Sequence, residues 1–319
     1  MQRRYLLISS FALAGSLAAW PALAAFPERP VTVICPWSAG GGTDTLLRAL
    51  SKEAEKHLGQ TINVVNQTGG GGAIGHNAIR AARPDGYTVG MITFELNSLP
   101  PQGLVPFTWK DFDPLMRINS DPAALSVRAD APYSTVRGFM DYAKAHPGEV
   151  TIGNSGPGSV WHIAAGLASD KTGVKVKHVP FDGAQPAVTA LVGGHIKAVA
   201  VSVAEVRGQV QANNLKILGV MSAERDKLFP DVPTFKEQGV DVQFYTWRGL
   251  GLPKGVPAEA KAKIADAYKK AFDSKAFKEF AAKASLNLSF QDSVAFTQFL
   301  QQNYSDVEAV MKNLGLAKQ

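Results

Sequence analysis

The sequence predicts an α/β fold, and three observations point there. Short β-branched runs alternate with segments whose apolar residues recur at helical spacing. Two early runs end in glycine clusters that lead into helices, the strand–turn–helix unit of a parallel sheet. The chain of 319 residues has room for two domains or one large one.

The first unit starts at Val31–Ile34, a buried strand that Pro36 ends, because proline brings no amide hydrogen to a ladder. Ser38, Ala39, Gly40, Gly41 and Gly42 form the turn. Thr43 and Asp44 open a helix with Leu46, Leu47, Leu50, Ala54 and Leu58 on one face. Thr61–Val65 repeats the strand, Gly69–Gly72 the turn, and Ala73–Ile79 the helix. Bare amides at a turn, joined by the roughly half positive charge of a helix N-terminus, make an anion site. Two such turns side by side predict a ligand with a negatively charged end, held without any fixed cation.

The rhythm continues. Arg83–Gly86 is a turn and Tyr87–Thr93 a third strand, with Phe94–Ser98 just past its end, facing the same crevice. Residues 100–109 read as loop, Asp111–Arg117 as a connector and Ala123–Val127 as a strand. Ser134 caps a helix to about Ala145, which His146-Pro147-Gly148 stops. Val150–Gly153 is a strand, Asn154–Ser159 a third small-residue turn, and Val160 to about Lys171 a helix. Strands follow at Val174–Val179, Ala198–Val203 and Lys216–Met221, with helices carrying Val188, Leu191 and Val192, then Val206–Ala212, between them. Gln243–Leu250 is extended. Pro257 suits the first turn of a helix carrying Ile264, Tyr268 and Phe272. Ser285–Phe290 is strand-like, and Asp292 caps a terminal helix with Phe296, Phe299, Leu300, Val307, Val310, Met311 and Leu314 on one face.

Composition narrows the class. Hydrophobics at 45% and charged residues at 19% describe an ordinary globular protein. The formal charge of +6 falls to +4 without Arg3 and Arg4, and its basic residues are scattered, so no nucleic-acid or membrane-surface patch is expected. Residues 1–24 read as an export leader: Arg3 and Arg4, an apolar run from Tyr5 to Trp20, then Ala22-Leu23-Ala24 as the cleavage signal. The mature chain is expected to start near Ala25, in the periplasm. Arg3-Arg4-Tyr5-Leu6-Leu7 also resembles a twin-arginine signal, which leaves the export route open. Cys35 is the one cysteine, so no disulfide forms within the chain, and its place after a buried strand reads as a small core hydrophobe.

Other chemistries find less support. Gly70, Gly72 and Gly75 satisfy GxGxxG, but the acidic residue expected near a following strand end is missing. No GxSxG elbow accompanies His76 or His162, and the six histidines show no metal-ligand spacing. No enzyme, cofactor or metal is therefore expected. An exported α/β enzyme acting on an anionic substrate stays as the alternative, as does a sensor read by a signalling partner. Asp44 is expected to complement the helix dipole with its carboxylate turned away from a bound acid. Asp182 has two readings, ligand contact or a capping box with Gln185. Trp161 and Trp247 read as core or hinge packing, although the turn before Trp161 faces the cleft.

Several segments together resemble one family. They are FPERPVTVICPWSAGGGTD, VVNQTGGGGAIG, RPDGYTVG, IGNSGPGSVWH, VPFDGAQPAVTALVGGHI, RDKLFPDVPTFKEQG and WRGLGLPKGVP, in order along nearly the whole mature chain. The pattern resembles the substrate-binding proteins of tripartite tricarboxylate transporters, the Bug family of extracytoplasmic solute receptors. The resemblance implies a two-lobed Venus-flytrap, type II-like, with two crossover strands near Ala124–Val127 and Gln243–Leu250. Lobe 1 would be residues 25–125 and 245–319, and lobe 2 residues 126–244. It also implies that a carboxylate sits on Ser38, Gly41, Gly42 and Thr43 and on Gly71, Gly72 and Ala73. Trp37 would pack on the solute, and the opposite lobe would add Ser155, Ser159 and the segment around Asp182. The implied partners are a small organic carboxylate and the transporter's membrane subunits, with the receptor acting as a monomer. Gln67-Thr68 stands where family members often carry arginine and proline, and Asp182 where many carry a basic or neutral residue.

Overall fold

The β-branched run Val31–Cys35 forms strand β1, its side chains buried on both faces as a central parallel strand requires. The computed structural model describes residues 26–318. The leader assignment lies outside the described residues. Helix α1 (Gly42–Leu58) follows, buries Leu46, Leu47, Leu50 and Ala54, and ends on a left-handed Gly59. β2 (Ile62–Asn66) and β3 (Thr88–Thr93) lie parallel to β1 on either side of it, with α2 (Ala73–Ala81) between them in sequence. Both glycine turns therefore leave the same edge of the sheet. Short helix α3 (Glu95–Ser98) caps the end of β3 at that edge.

β4 is one long strand, Phe112–Arg128, where the sequence suggested a connector and a separate short strand. Pro114 and Pro122 cause the difference. Each interrupts the donor series that marks a strand, yet β4 absorbs a register shift just after Pro114 and keeps pairing with β9. Through Pro122 it pairs with β9, and from Ala123 with β7, so Ala124–Val127 already lie inside the second sheet.

The second sheet holds its own strand–helix series: α4 (Val136–Ala145), β5 (Thr151–Asn154), α5 (Val160–Thr172), β6 (Lys177–Pro180), α6 (Ala184–Val192), β7 (Ala198–Ser202), α7 (Val203–Gln211) and β8 (Leu215–Val220). Thr135, not Ser134, caps α4, accepting the Gly138 amide at 2.9 Å. The chain then returns through β9 (Tyr245–Pro253), which runs antiparallel between β3 and β4. α8 (Ala258–Asp273), α9 (Lys275–Lys283), β10 (Leu288–Gln291) on β4, and α10 (Ser293–Asn313) complete the first lobe.

The sheets run β2-β1-β3-β9-β4 and β4-β7-β5-β6, with β8 also on β4. The fold is thus α/β and two-lobed, with mixed sheets. One hydrophobic core lies under α1 and α8. The other fills the second lobe and continues through Trp247 to Phe296 and Leu300 of α10. Trp247 is core, as expected, and its indole donates to Asn303 at 2.8 Å.

Candidate functional site

The turn after β1 builds the first wall. Gly41 is the N-cap of α1 and offers no side-chain cap, and the amides of Gly42 and Thr43 meet no acceptor among the described residues. They are the orphan donors of a helix N-terminus. Asp44 is turned away, as expected: it accepts from the Gly40 amide at 3.0 Å, Arg48 Nε at 2.9 Å and Asn66 at 2.8 Å. Burial works against its charge, but those hydrogen bonds outweigh it and hold the carboxyl below its usual range.

These amides face a narrow, partly enclosed chamber of about 20 Å³, room for about one water. From the first lobe come Trp37, Ser38, Gly41, Gly42, Thr43, Thr93, Glu95, Thr246 and Arg248. From the second come Ser155, Val160, Trp161, Ala184 and Glu205. The two lobes touch here. A Cβ on Gly42 would lie 2.9 Å from Glu205 Cγ, and one on Gly183 would lie 2.6 Å from Ser38 Oγ. The hydroxyls of Ser38 and Ser155 are buried without a partner among the described residues.

Charged groups line the chamber as well, which corrects the expectation of a site without a fixed cation. Arg248, 2% exposed, donates to Thr43 Oγ1 at 2.8 Å and Asp121 at 2.7 Å, and reaches Glu205 Oε1 at 3.4 Å. Asp121 sits behind it, held also by the Asn287 amide at 2.8 Å. Glu205 takes the Ser202 amide at 2.9 Å at the start of α7. Glu95 accepts from the Thr93 hydroxyl and, across the cleft, from the Val160 amide at 3.0 Å. Loss of hydration on burial pushes the carboxyls of Glu95, Asp121 and Glu205 up from their usual range, and it is only partly offset, at Glu95 chiefly by the Thr93 and Val160 hydrogen bonds and at the other two chiefly by the field of Arg248.

The second glycine turn is built differently from the expectation. Two of the amides expected to hold a ligand are spent within the turn: Gly72 donates to the Gly69 carbonyl at 3.1 Å and Ala73 to that of Gly70. Left-handed φ of +63° at Gly71 and +92° at Gly72 explains the run of glycine. Gly72 stands behind Trp37, and its carbonyl accepts from His76 Nδ1 at 2.8 Å. His76 Nε2 in turn accepts the Thr93 amide at 3.2 Å, which fixes the neutral tautomer. Burial lowers its pKa to about 4, so His76 is a support for Trp37 and Thr93.

Gly71 and Ala73 border a separate open groove of about 670 Å³, together with Asp182. Asp182 is exposed, and the capping box with Gln185 does not form: Gly183 is the N-cap of α6 and no side chain caps it. Ser159 is fully buried as the N-cap of α5 and accepts the His162 amide at 3.3 Å. The structure thus brings Trp37, Ser38, Gly41, Gly42, Thr43 and Ser155 into one chamber. Gly71, Ala73 and Asp182 lie in the outer groove, and Gly72 and Ser159 act as supports. Cys35 is fully buried, and burial pushes its thiol up to about 12, consistent with a core residue.

Glu95, Glu205 and Arg248 are the site residues that motif reasoning passed over. Each left some signal: a charge just past a strand end, a Ser-x-x-Glu capping box at Ser202–Glu205, and an arginine within an otherwise apolar strand.

The family description "Tripartite tricarboxylate transporter family receptor" matches residues 46–316. The chain belongs to this family. A curated relative from Cupriavidus necator, described as the UPF0065 protein in the gbd 5' region, is 33% identical over all of this chain and 99% of its own length. A family solute-binding protein from Polaromonas, solved without ligand, is 40% identical, covering 91% of this chain and all of that one, at TM-score 0.65. MatC from Rhodopseudomonas palustris with bound malate is 28% identical over 89% of this chain and 99% of that one, at TM-score 0.83. A second R. palustris protein, bound to adipate, is 25% identical over 92% and 99%, at TM-score 0.87. The family and these neighbours are solute-binding receptors rather than enzymes, and membership implies a periplasmic location.

Proposed function

We propose that this chain captures a small organic carboxylate in the interlobe chamber and hands it, with the lobes closed, to the membrane subunits of a tripartite tricarboxylate transporter. The observation that carries this reading is the α1 N-terminus. Two amides without acceptors, the Thr43 hydroxyl and the Arg248 guanidinium converge on a space lined by both lobes. Hydrogen bonds to a charged acceptor are roughly twice as strong as neutral ones, so a carboxylate gains most there. Trp37, Ser38, Gly41, Gly42, Thr43 and Ser155 form the inner contacts. Gly71, Ala73 and Asp182 line the path in, and Gly72 and Ser159 hold the walls.

Residues 25–125 with 245–319 form one lobe and 126–244 the other, hinged where β4 and the segment before β9 pass between the sheets. Residues 1–24 are the export leader. Hinge closure is supported by the neighbours: the ligand-free Polaromonas protein superposes at TM-score 0.65 despite 40% identity, while the malate- and adipate-bound proteins reach 0.83 and 0.87 at lower identity. The lobes here are drawn together and the chamber of about 20 Å³ holds about one water, so the solute enters as they part.

A thermal-shift and calorimetric panel of mono-, di- and tricarboxylates tests the reading, with NAD as a control anion. Binding of an acid that is lost on adding bulk at Gly42 supports it. Binding of NAD alone, or of nothing in the panel, overturns it.

A further inference from the structure

The chamber carries more negative charge than a simple acid can tolerate. Glu95 and Glu205 line it and Asp121 stands behind Arg248, the one cation there among the described residues, a balance of one cation and three anions when all are ionised, or −2. Glu95 and Asp121 are each 1% exposed, Arg248 2%, and the Glu205 side chain 4%. A carboxylate solute would deepen that imbalance in a place where buried charge has to be paired. Each nitrogen of Arg248 already makes one bond, to Thr43, Asp121 and Glu205, which leaves two of its five N–H groups to set against a solute carboxylate. Glu95 has neutral donors only, the Thr93 hydroxyl and the Val160 amide, although a carboxylate has room for about four.

We propose that the solute also carries a positively charged nitrogen, an ammonium or guanidinium, which Glu95 and Glu205 receive while the α1 N-terminus holds its carboxylate. The inference rests on the carboxylate-capture reading and narrows it to zwitterionic acids. A second observation shows that the chamber expects a polar guest: Ser155, 2% exposed, lines it with a hydroxyl that has no partner. Trp37 and Trp161 supply indole walls, which attract organic cations more than they attract anions. The raised pKa of both glutamates agrees, because without a cation they favour taking up protons.

Calorimetry on matched pairs tests this: propionate against β-alanine, butyrate against γ-aminobutyrate, and succinate against aspartate. The ammonium-bearing member of the fitting pair is expected to bind about tenfold or more tightly than its parent, the scale of a hydrogen bond to a charged group. Glu95→Gln keeps an acceptor for the Val160 amide and should bring the pair to within about twofold. Glu205→Gln gives an independent check, and thermal unfolding confirms that each variant is folded. If a variant does not fold, the wild-type pairs decide alone. Parent acids that bind as well as or better than their amino partners, or a preference that survives both substitutions, overturn the proposal and leave carboxylate capture standing. If no member of any pair binds and the wider acid panel is also silent, carboxylate capture itself falls.

Discussion

The Glu95 carboxylate accepts the backbone amide of Val160 at 3.0 Å, joining the two lobes across the chamber. Glu95 belongs to α3 of the first lobe, and Val160 opens α5 of the second. An anion of one lobe therefore rests on the positive end of a helix in the other, which favours closure. Glu95→Ala removes this bridge, whereas Glu95→Gln keeps a neutral acceptor in place. For a solute without a cationic group, affinity should fall about tenfold in the alanine variant and much less in the glutamine one. Small-angle scattering with saturating solute checks the cause: the alanine variant should need more solute to reach the compact form. Equal behaviour of the two variants would remove closure as the role of this contact.

Gly42 is the tightest point between the lobes. A Cβ there would meet Glu205 Cγ at 2.9 Å and Arg248 Nη2 at 3.3 Å. Its backbone needs no left-handed conformation, so Gly42→Val should leave the first lobe folded while blocking closure and covering the amides. Affinity should drop at least about a hundredfold, with a modest change in unfolding midpoint. Gly41→Ala, whose nearest contact would be the Ser38 carbonyl at 3.4 Å, should cost much less. Calorimetry and thermal unfolding of the pair separate a site effect from a folding effect.

Arg248 neutralises Asp121 in a buried setting, 2% and 1% exposed. Arg248→Met strands that carboxylate, at a cost of about 3–5 kcal/mol in stability. Adding Asp121→Asn removes the unpaired charge and should restore part of it, the sign of a coupled pair. Urea midpoints of the two single variants and the double variant measure the coupling. Purely additive effects would show that the pair is not what holds β4 and β9 at the hinge.

His76 is expected to make the fold acid-sensitive. Burial lowers its pKa from 6.5 to about 4, so the unfolded chain takes up this proton first. Its contribution is complete above about pH 6.5 and is lost as pH falls toward about 4, on the order of 3 kcal/mol. The raised carboxyls of Glu95, Asp121 and Glu205 act in the opposite sense. Their protonation favours the fold as pH falls through their folded values, so the whole-protein slope is a difference. His76→Gln should lower stability at neutral pH and flatten the slope between pH 4 and 6.5 relative to wild type. Parallel stability curves for the two proteins would rule His76 out as the titrating group.

Much of the scaffold was legible along the chain. The β1 turn, α1 and the turned-away Asp44 follow from a β-branched run, a proline stop, glycine and a helix start, all signals that act within a few residues. Where reading failed, non-local forces had overridden them. β4 runs through Pro114 and Pro122 because β9 supplies pairing along its length. The second turn looked like a bare amide cluster, yet its glycines fold back on one another and the Gly72 and Ala73 amides close the turn itself.

The sequence by itself determined the strand–helix alternation, the two glycine turns at one sheet edge, and the family, because these rest on local propensity and on motifs in order. Only the tertiary structure decided which charges meet. Glu95, Asp121, Glu205 and Arg248 lie on α3, β4, α7 and β9, and no local signal in those segments says that they meet. The long strand β4, the return through β9 and the contact of the lobes bring them together out of water. Burial there is what turns four separate charges into a coupled group.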